Sequence, residues 1–317
     1  MKKLPIIIAA ALALASCGGR NAPAPFTPAA FPQVQVPGVL EDPSECEAYV
    51  LEHYWDAFFE LEGPSDTTYI QGVPVAEVEQ ALANYIMICE GAPLPKAQAG
   101  ILRAFELAEK AQQRDTSSRV YRLTTEMVSK YLYDPNSPMR NEDLYLPWVR
   151  AAAVSPCTAE NMREAYRYEA RMCSLNQFGS YVPDFKIRDA RGTVFTLYSV
   201  KAEYTMLFFS NPGCAECKNI VDQVMSRSYV NDAIASKKLA VVNVYIDEDR
   251  KAWRSYVKNY PSSWRSGYDP KLVIRTDELY NVRAIPSLYL LDKSKRVIMK
   301  DAPTEKVMMY LDKTLAQ

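Results

Sequence analysis

Between Asp42 and Gln177, apolar side chains recur every three or four residues, the spacing that lines one face of an α-helix. Ala48, Leu51, Trp55 and Phe58 form one stripe, and Val75, Val78, Leu82, Tyr85 and Cys89 form a second. Ile101, Phe105 and Ala108, then Val120, Leu123, Met127 and Tyr131, continue the pattern. Turn signals at Gly63-Pro64, at 91–95 and at 134–138 separate the stripes, and a helix over about 158–177 closes the region. No fixed-period repeat is present, so the pattern predicts an irregular bundle of about five or six helices. The aromatic stripes read as core.

After Gly179 the pattern changes. "PDFKIRDARGTVFTL" has strand-like stretches on either side of a turn at 189–192, and "YTMLFFS" and "LAVVNVYID" read as buried strands. Residues 214–236, the stretch "EDRKAWRSYVKNY" and residues 304–316 read as helices, while "SLYLLD" and "RVIMK" form a hairpin around Lys293 to Lys295. Strands alternating with helices predict an α/β sheet covered on both faces.

The first residues, "MKKLPIIIAAALALASC", have a basic start at Lys2 and Lys3, an apolar run and then small residues, which is the layout of a secretory leader. The run is far short of the ~20 apolar residues that span a bilayer. Leu14-Ala15-Ser16-Cys17 resembles the lipobox of bacterial lipoproteins, which implies cleavage after residue 16 and acylation of Cys17. Residues 18–40 carry five prolines and little charge, and read as an extended tether. Gly18, in place of an aspartate after the lipidated cysteine, favours the outer membrane over the inner one.

Charge excludes some functions. With 37 basic and 38 acidic side chains the formal charge is −1, and no basic block could track a phosphate backbone. A single histidine, His53, leaves no His-rich metal cluster and reads as a helix-surface residue.

The chemistry concentrates in "NPGCAECKN", residues 211–219. A C-x-x-C where a strand feeds a helix puts Cys214 at a helix N-terminus, whose unpaired N–H groups and macrodipole favour a thiolate. Cys217, one turn on, could displace a mixed disulfide formed at Cys214. A zinc site would need further ligands, and Cys157 and Cys173 stand sixteen residues apart with no nearby histidine. A peroxidatic P-x-x-x-T-x-x-C pattern is absent, since Leu207 and Asn211 occupy its positions. A structural disulfide remains the rival reading for an exported chain.

Downstream, "YNVRAIPSLYLLD" combines with this motif. Together with "VPDFKIRDARGTVFTLYSVKAEYTMLFFSNPGCAECKNIVDQV", it resembles the thioredoxin superfamily, in particular membrane-tethered TlpA-like and ResA-like thiol-disulfide oxidoreductases. The resemblance covers about residues 180–317. It implies a cis Ile285–Pro286 bond beside the cysteines, with the Ile285 backbone pairing with an extended substrate strand. Three departures stand out. Gly213 replaces a frequent tryptophan, Phe208 replaces the buried aspartate of thioredoxins, and Ala215-Glu216 is the intervening dipeptide. Glu216 should disfavour the Cys214 thiolate and Lys218 partly oppose this, placing the pair nearer the reducing end of the family. Glu216 also reads as a solvated helix-start carboxylate.

Among the other cysteines, Cys46 opens the first predicted helix and Cys89 ends the second, so an antiparallel hairpin would make them a candidate structural disulfide. Cys157 and Cys173, on one predicted helix, would lie ~24 Å apart and cannot bond to each other. Each reads equally as a buried small hydrophobe or a cysteine bonded elsewhere.

The sequence thus predicts a leader (1–16), a lipidated Cys17 with its tether (17–40), an all-α helical domain (41–178) and an α/β thioredoxin-like domain (179–317). The expected function is a periplasm-facing, lipid-anchored thiol-disulfide oxidoreductase. Its substrates would be exported cysteine-containing proteins, its electrons would come from a membrane-bound thiol reductant, and nucleic acid is not a partner. Cys214 would attack, Cys217 resolve and Pro286 shape the groove, with no organic cofactor and no metal beyond the redox-active disulfide. The alternative is a binding lipoprotein whose thioredoxin-like domain no longer turns over.

Overall fold

The structure is a computed structural model that describes residues 26–316. The leader and Cys17 lie outside the described residues.

The first half is helical: α1 Pro43–His53, α2 Asp56–Phe59, α3 Val75–Gly91, α4 Leu94–Arg114, α5 Val120–Leu132, α6 Glu142–Ala152 and α7 Glu160–Cys173. A small hairpin, β1 Tyr69–Ile70 with β2 Val73–Pro74, sits between α2 and α3. Asp42 caps α1 by accepting from the Ser44 and Glu45 amides. The stripe expected as one helix from Ala48 to Phe58 breaks at Tyr54-Trp55. Trp55 and Phe58 remain in the core against Tyr85 and Phe31. Phe31 and Ala29 belong to the stretch read as a tether. Here Ala29 N–H donates to the Gly72 carbonyl and Phe31 stacks on Phe58, so residues 26–31 pack on the helical domain.

α6 has no counterpart in the sequence reading, for two physical reasons. Eight of its eleven residues are buried, the acidic Glu142 and Asp143 among them, so its first turn reads as surface in the sequence, and Pro147 lies inside it. A proline cannot donate to the carbonyl four residues back. That carbonyl, of Asp143, accepts from Gln98 Nε2 at 2.8 Å instead.

The second half contains β3 Lys186–Arg188, β4 Val194–Thr196, β5 Tyr204–Phe209, β6 Leu239–Tyr245, β7 Arg265–Tyr268, β8 Ser287–Leu291 and β9 Val297–Met299. They form one sheet in the order β4-β3-β7-β6-β5-β8-β9. The β5–β6 and β6–β7 pairs are parallel and the others antiparallel. Helices α8 Ala215–Met225, α9 Tyr229–Ala235, α10 Arg250–Tyr256, α11 Val273–Thr276 and α12 Thr304–Leu315 cover it. Strand periodicity sends Met206, Phe208, Leu288 and Leu290 into the layer with α8, α9 and α12. Leu207, Phe209, Tyr289 and Leu291 go into the opposite layer. The helix expected over 214–236 is two helices, and β7 was not foreseen.

The two halves meet through buried charge. Lys300 Nζ lies 2.7 Å from Glu142 Oε2, with both side chains 1% exposed. Lys300 also donates to the Cys173 and Leu175 carbonyls. Arg140 donates to the Asp301 and Ala302 carbonyls, and Arg171 pairs with Glu278 and Lys306 with Glu90.

Candidate functional site

Strand β5 delivers the chain to a turn at 210–213, and Cys214 is the N-cap of α8. Its sulfur accepts from the Cys217 amide at 3.0 Å, the donor that any helix N-terminus leaves unpaired. Cys214 and Cys217 are joined as a disulfide with Cα atoms 5.2 Å apart. Cys214 is partly accessible, whereas Cys217 is 1% exposed and packs with Phe208, Ile220 and Val224. An attacking sulfur open to solvent and a shielded partner one turn on suit sequential exchange.

Gly213 adopts φ +73°, a left-handed conformation that side-chain-bearing residues adopt only with strain. This conformation suits a glycine at position 213. Phe208 sits edge-on to Trp264, so no carboxylate occupies the position under Cys217. Glu216 accepts from Asn219 Nδ2 at 2.9 Å. Lys218 is held by Asp222, four residues on, and so is directed along the helix and away from Cys214. The opposing charge expected from Lys218 is therefore spent elsewhere.

The Ile285–Pro286 peptide is cis. The Ile285 N–H and C=O make no hydrogen bond among the described residues. The loop around it is anchored from three sides. Asn281 Nδ2 and Arg283 Nε donate to Glu142 Oε1 at 2.8 and 3.0 Å, and Arg283 Nη2 donates to Asp301 Oδ2 at 2.8 Å. Ser287 Oγ donates to Asp301 Oδ1 at 2.7 Å. An open groove of about 580 Å³ runs between this loop, the outer face of α8 and residues 135–140 of the helical domain.

Sequence reasoning missed two polar clusters. One is the set of Glu142, Arg283, Lys300 and Asp301, whose members lie on separate segments that only the fold joins. The other is Ser210, Asn243 and Tyr260, buried at the start of the cysteine turn, with Ser210 Oγ 2.8 Å from the Tyr260 hydroxyl and 2.9 Å from Asn243 Nδ2. A polar Asn243 in the otherwise apolar β6 was the one available signal for it.

The Cys46–Cys89 pairing is corrected. Both are free thiols. Cys46 Sγ donates to the Leu40 carbonyl, while Cys89 lies in the core. Residues 54–74 intervene as α2 and the β1–β2 hairpin, so α1 and α3 do not form the simple hairpin the pairing needs. Burial pushes the Cys89 thiol up to about 12. Cys157 lies outside α7, in the turn before it, and Cys173 ends that helix; both are free. Among the described residues no cluster of three metal-ligating side chains occurs, and no helix is long and apolar enough to cross a membrane.

Residues 14–176 match the family described as a domain of unknown function (DUF5106), and residues 202–297 match the family described as thioredoxin-like. No curated protein matches the chain. A thioredoxin-like protein from Bacteroides caccae is 34% identical, with 90% of this chain and 99% of that chain covered at a TM-score of 0.77. The C-terminal domain of an uncharacterized protein from Bacteroides fragilis is 40% identical over 45% of this chain and 99% of that one, TM-score 0.42. The thioredoxin domain of a thiol-disulfide oxidoreductase from Bacteroides vulgatus is 19% identical over 44% of this chain and 98% of that one, TM-score 0.39. With its first half matched by the one family and its full architecture shared with the Bacteroides caccae protein, the chain belongs to the DUF5106 family and is a thioredoxin-like protein.

Proposed function

We propose that the protein is a thiol-disulfide oxidoreductase acting on cysteine-containing proteins outside the cytoplasm, held at a membrane by acylated Cys17. The observation that carries this is Cys214 at the N-cap of α8, partly accessible, with a shielded Cys217 one turn away. In the reduced protein the Cys214 thiolate attacks a substrate disulfide, forming a mixed disulfide and releasing one substrate thiolate, which takes up a proton. Cys217, deprotonated, then attacks the Cys214 sulfur, releases the second substrate thiol and closes the Cys214–Cys217 disulfide. Two electrons pass to the substrate, and a membrane-bound thiol reductant restores the pair. The leader-like start and the lipobox-like Leu14 to Cys17 support export and anchoring.

The Cys217→Ser protein tests this, since it should accumulate mixed disulfides through Cys214 that thiol reductants release. If it collects no such adducts and holds partners that survive reduction, the chain is a binding protein and not an exchanger.

A further inference from the structure

Resting on that exchange reading, the geometry points to the helical domain as the second wall of the substrate groove. This wall makes the site selective for an extended cysteine-bearing polypeptide segment with a basic side chain beside its cysteine. Three features carry it. First, residues 135–140, between α5 and α6, line the same groove as Glu216, Ile220 and the cis-proline loop. The groove is therefore composite, and a thioredoxin-like domain by itself would lack one side of it. Second, the loop is locked in place. Arg140 binds the Asp301, Ala302 and Ser137 carbonyls, and Ser137 Oγ donates to the Tyr131 carbonyl. A groove with two fixed walls and the unpaired Ile285 backbone admits an extended strand, whose N–H and C=O groups can pair there.

Third, the charge is one-sided. Among the residues that line the groove, Glu216, Asp222 and Glu305 are acidic and Arg140 alone is basic. Arg140 turns its donors to the Asp301 and Ala302 carbonyls and its charge also meets the buried Asp301 carboxylate, and Lys218 pairs with Asp222, so the exposed Glu216 and Glu305 keep the groove acidic overall. A lysine or arginine on the incoming segment complements them; an acidic segment is repelled.

The test compares three probes with the reduced, full-length protein: a short peptide disulfide with lysines flanking its cysteine, the same peptide with glutamates, and the small neutral hydroxyethyl disulfide. The lysine peptide should be cleaved roughly tenfold faster than the glutamate peptide at low salt, with the gap closing at high salt. Glu305→Lys should bring the ratio towards one. Asn136→Trp, a change at an exposed loop position, should lower cleavage of both peptides relative to hydroxyethyl disulfide by a similar factor. Equal cleavage of the two peptides, preference for the glutamate peptide, or an Asn136→Trp protein with an unaltered peptide-to-small-disulfide ratio overturns the inference while leaving exchange intact. Failure to cleave any of the three overturns the exchange reading and the inference with it.

Discussion

Arg283, two residues before the cis Ile285–Pro286 bond, donates to Glu142 of α6 at 3.0 Å, with the two side chains 11% and 1% exposed. The loop that lines the groove opposite α8 is thus fastened to the helical domain by a buried ion pair, and the same carboxylate also meets Lys300. Removing one member of a buried pair leaves the others charged and uncompensated. Glu142→Ala should therefore lower the unfolding free energy by about 3–5 kcal/mol in urea denaturation. Adding Lys300→Met should recover part of that loss, which a double-mutant cycle reads as coupling. Additive effects would show that the pair contributes nothing as a pair.

Asp143, the neighbour of Glu142, accepts from the Phe178 amide and has one carboxylate oxygen with no partner. Burial pushes its carboxyl above the usual range, opposed by Lys300 and by the Phe178 amide. The folded chain then holds that proton more tightly than the unfolded chain. The stability this confers is present below about pH 4 and is lost as the pH rises through the folded value. Asp143→Asn should be more stable than the wild type at pH 7, with the difference vanishing below about pH 4. Thermal unfolding across pH measures it, and a variant less stable at pH 7 than in acid, relative to wild type, contradicts it.

Thiol accessibility follows burial. After reduction, iodoacetamide should label Cys214 first and Cys46 and Cys157 more slowly, all three being partly exposed. Cys89, Cys173 and Cys217 should react only on unfolding. Burial raises the Cys89 and Cys173 thiols, and a buried thiol is both shielded and protonated. Peptide mapping that finds early labelling at Cys89, or a Cys46–Cys89 disulfide, is incompatible with the packing described.

Two glycines carry backbone constraints. Gly213→Ala forces a side chain into φ +73° and should cost about 1 kcal/mol of stability in the oxidised protein. Gly267, on β7, would bring a Cβ to 2.4 Å from Ile187 Cγ2 and 2.9 Å from the Arg188 carbonyl. Gly267→Ala should cost about 1–3 kcal/mol through overpacking between β7 and β3. Chemical denaturation of each variant checks both values.

The legible parts of the chain were those in which local pattern and tertiary burial agree. The helices α3, α4 and α5 show clean stripes, and β5, β6 and β8 are unbroken apolar runs flanked by turns. The C-x-x-C and Ile285-Pro286 could be read as a site because each lies at a strand boundary. What escaped depends on distant residues. The interior proline of α6 is tolerated only because Gln98 satisfies Asp143, and β7 is too short and polar to stand out in "RSGY". The buried charges at 142, 283, 300 and 301 look like surface residues until the fold brings them together. The groove is illegible for the same reason, since residues 135–140 on one wall meet 216–223, 284–286 and 303–305 on the others only through the fold.

Whether the Cys214–Cys217 pair exchanges is read by its redox titration in the full-length protein, with thiol labelling in glutathione buffers and in stronger dithiol buffers. A working exchange site predicts a reversible midpoint between about −300 and −120 mV, and the Glu216 and Lys218 arrangement places it towards the reducing end of that range. A disulfide that resists reduction well below about −300 mV is a structural staple, and that result would contradict the account.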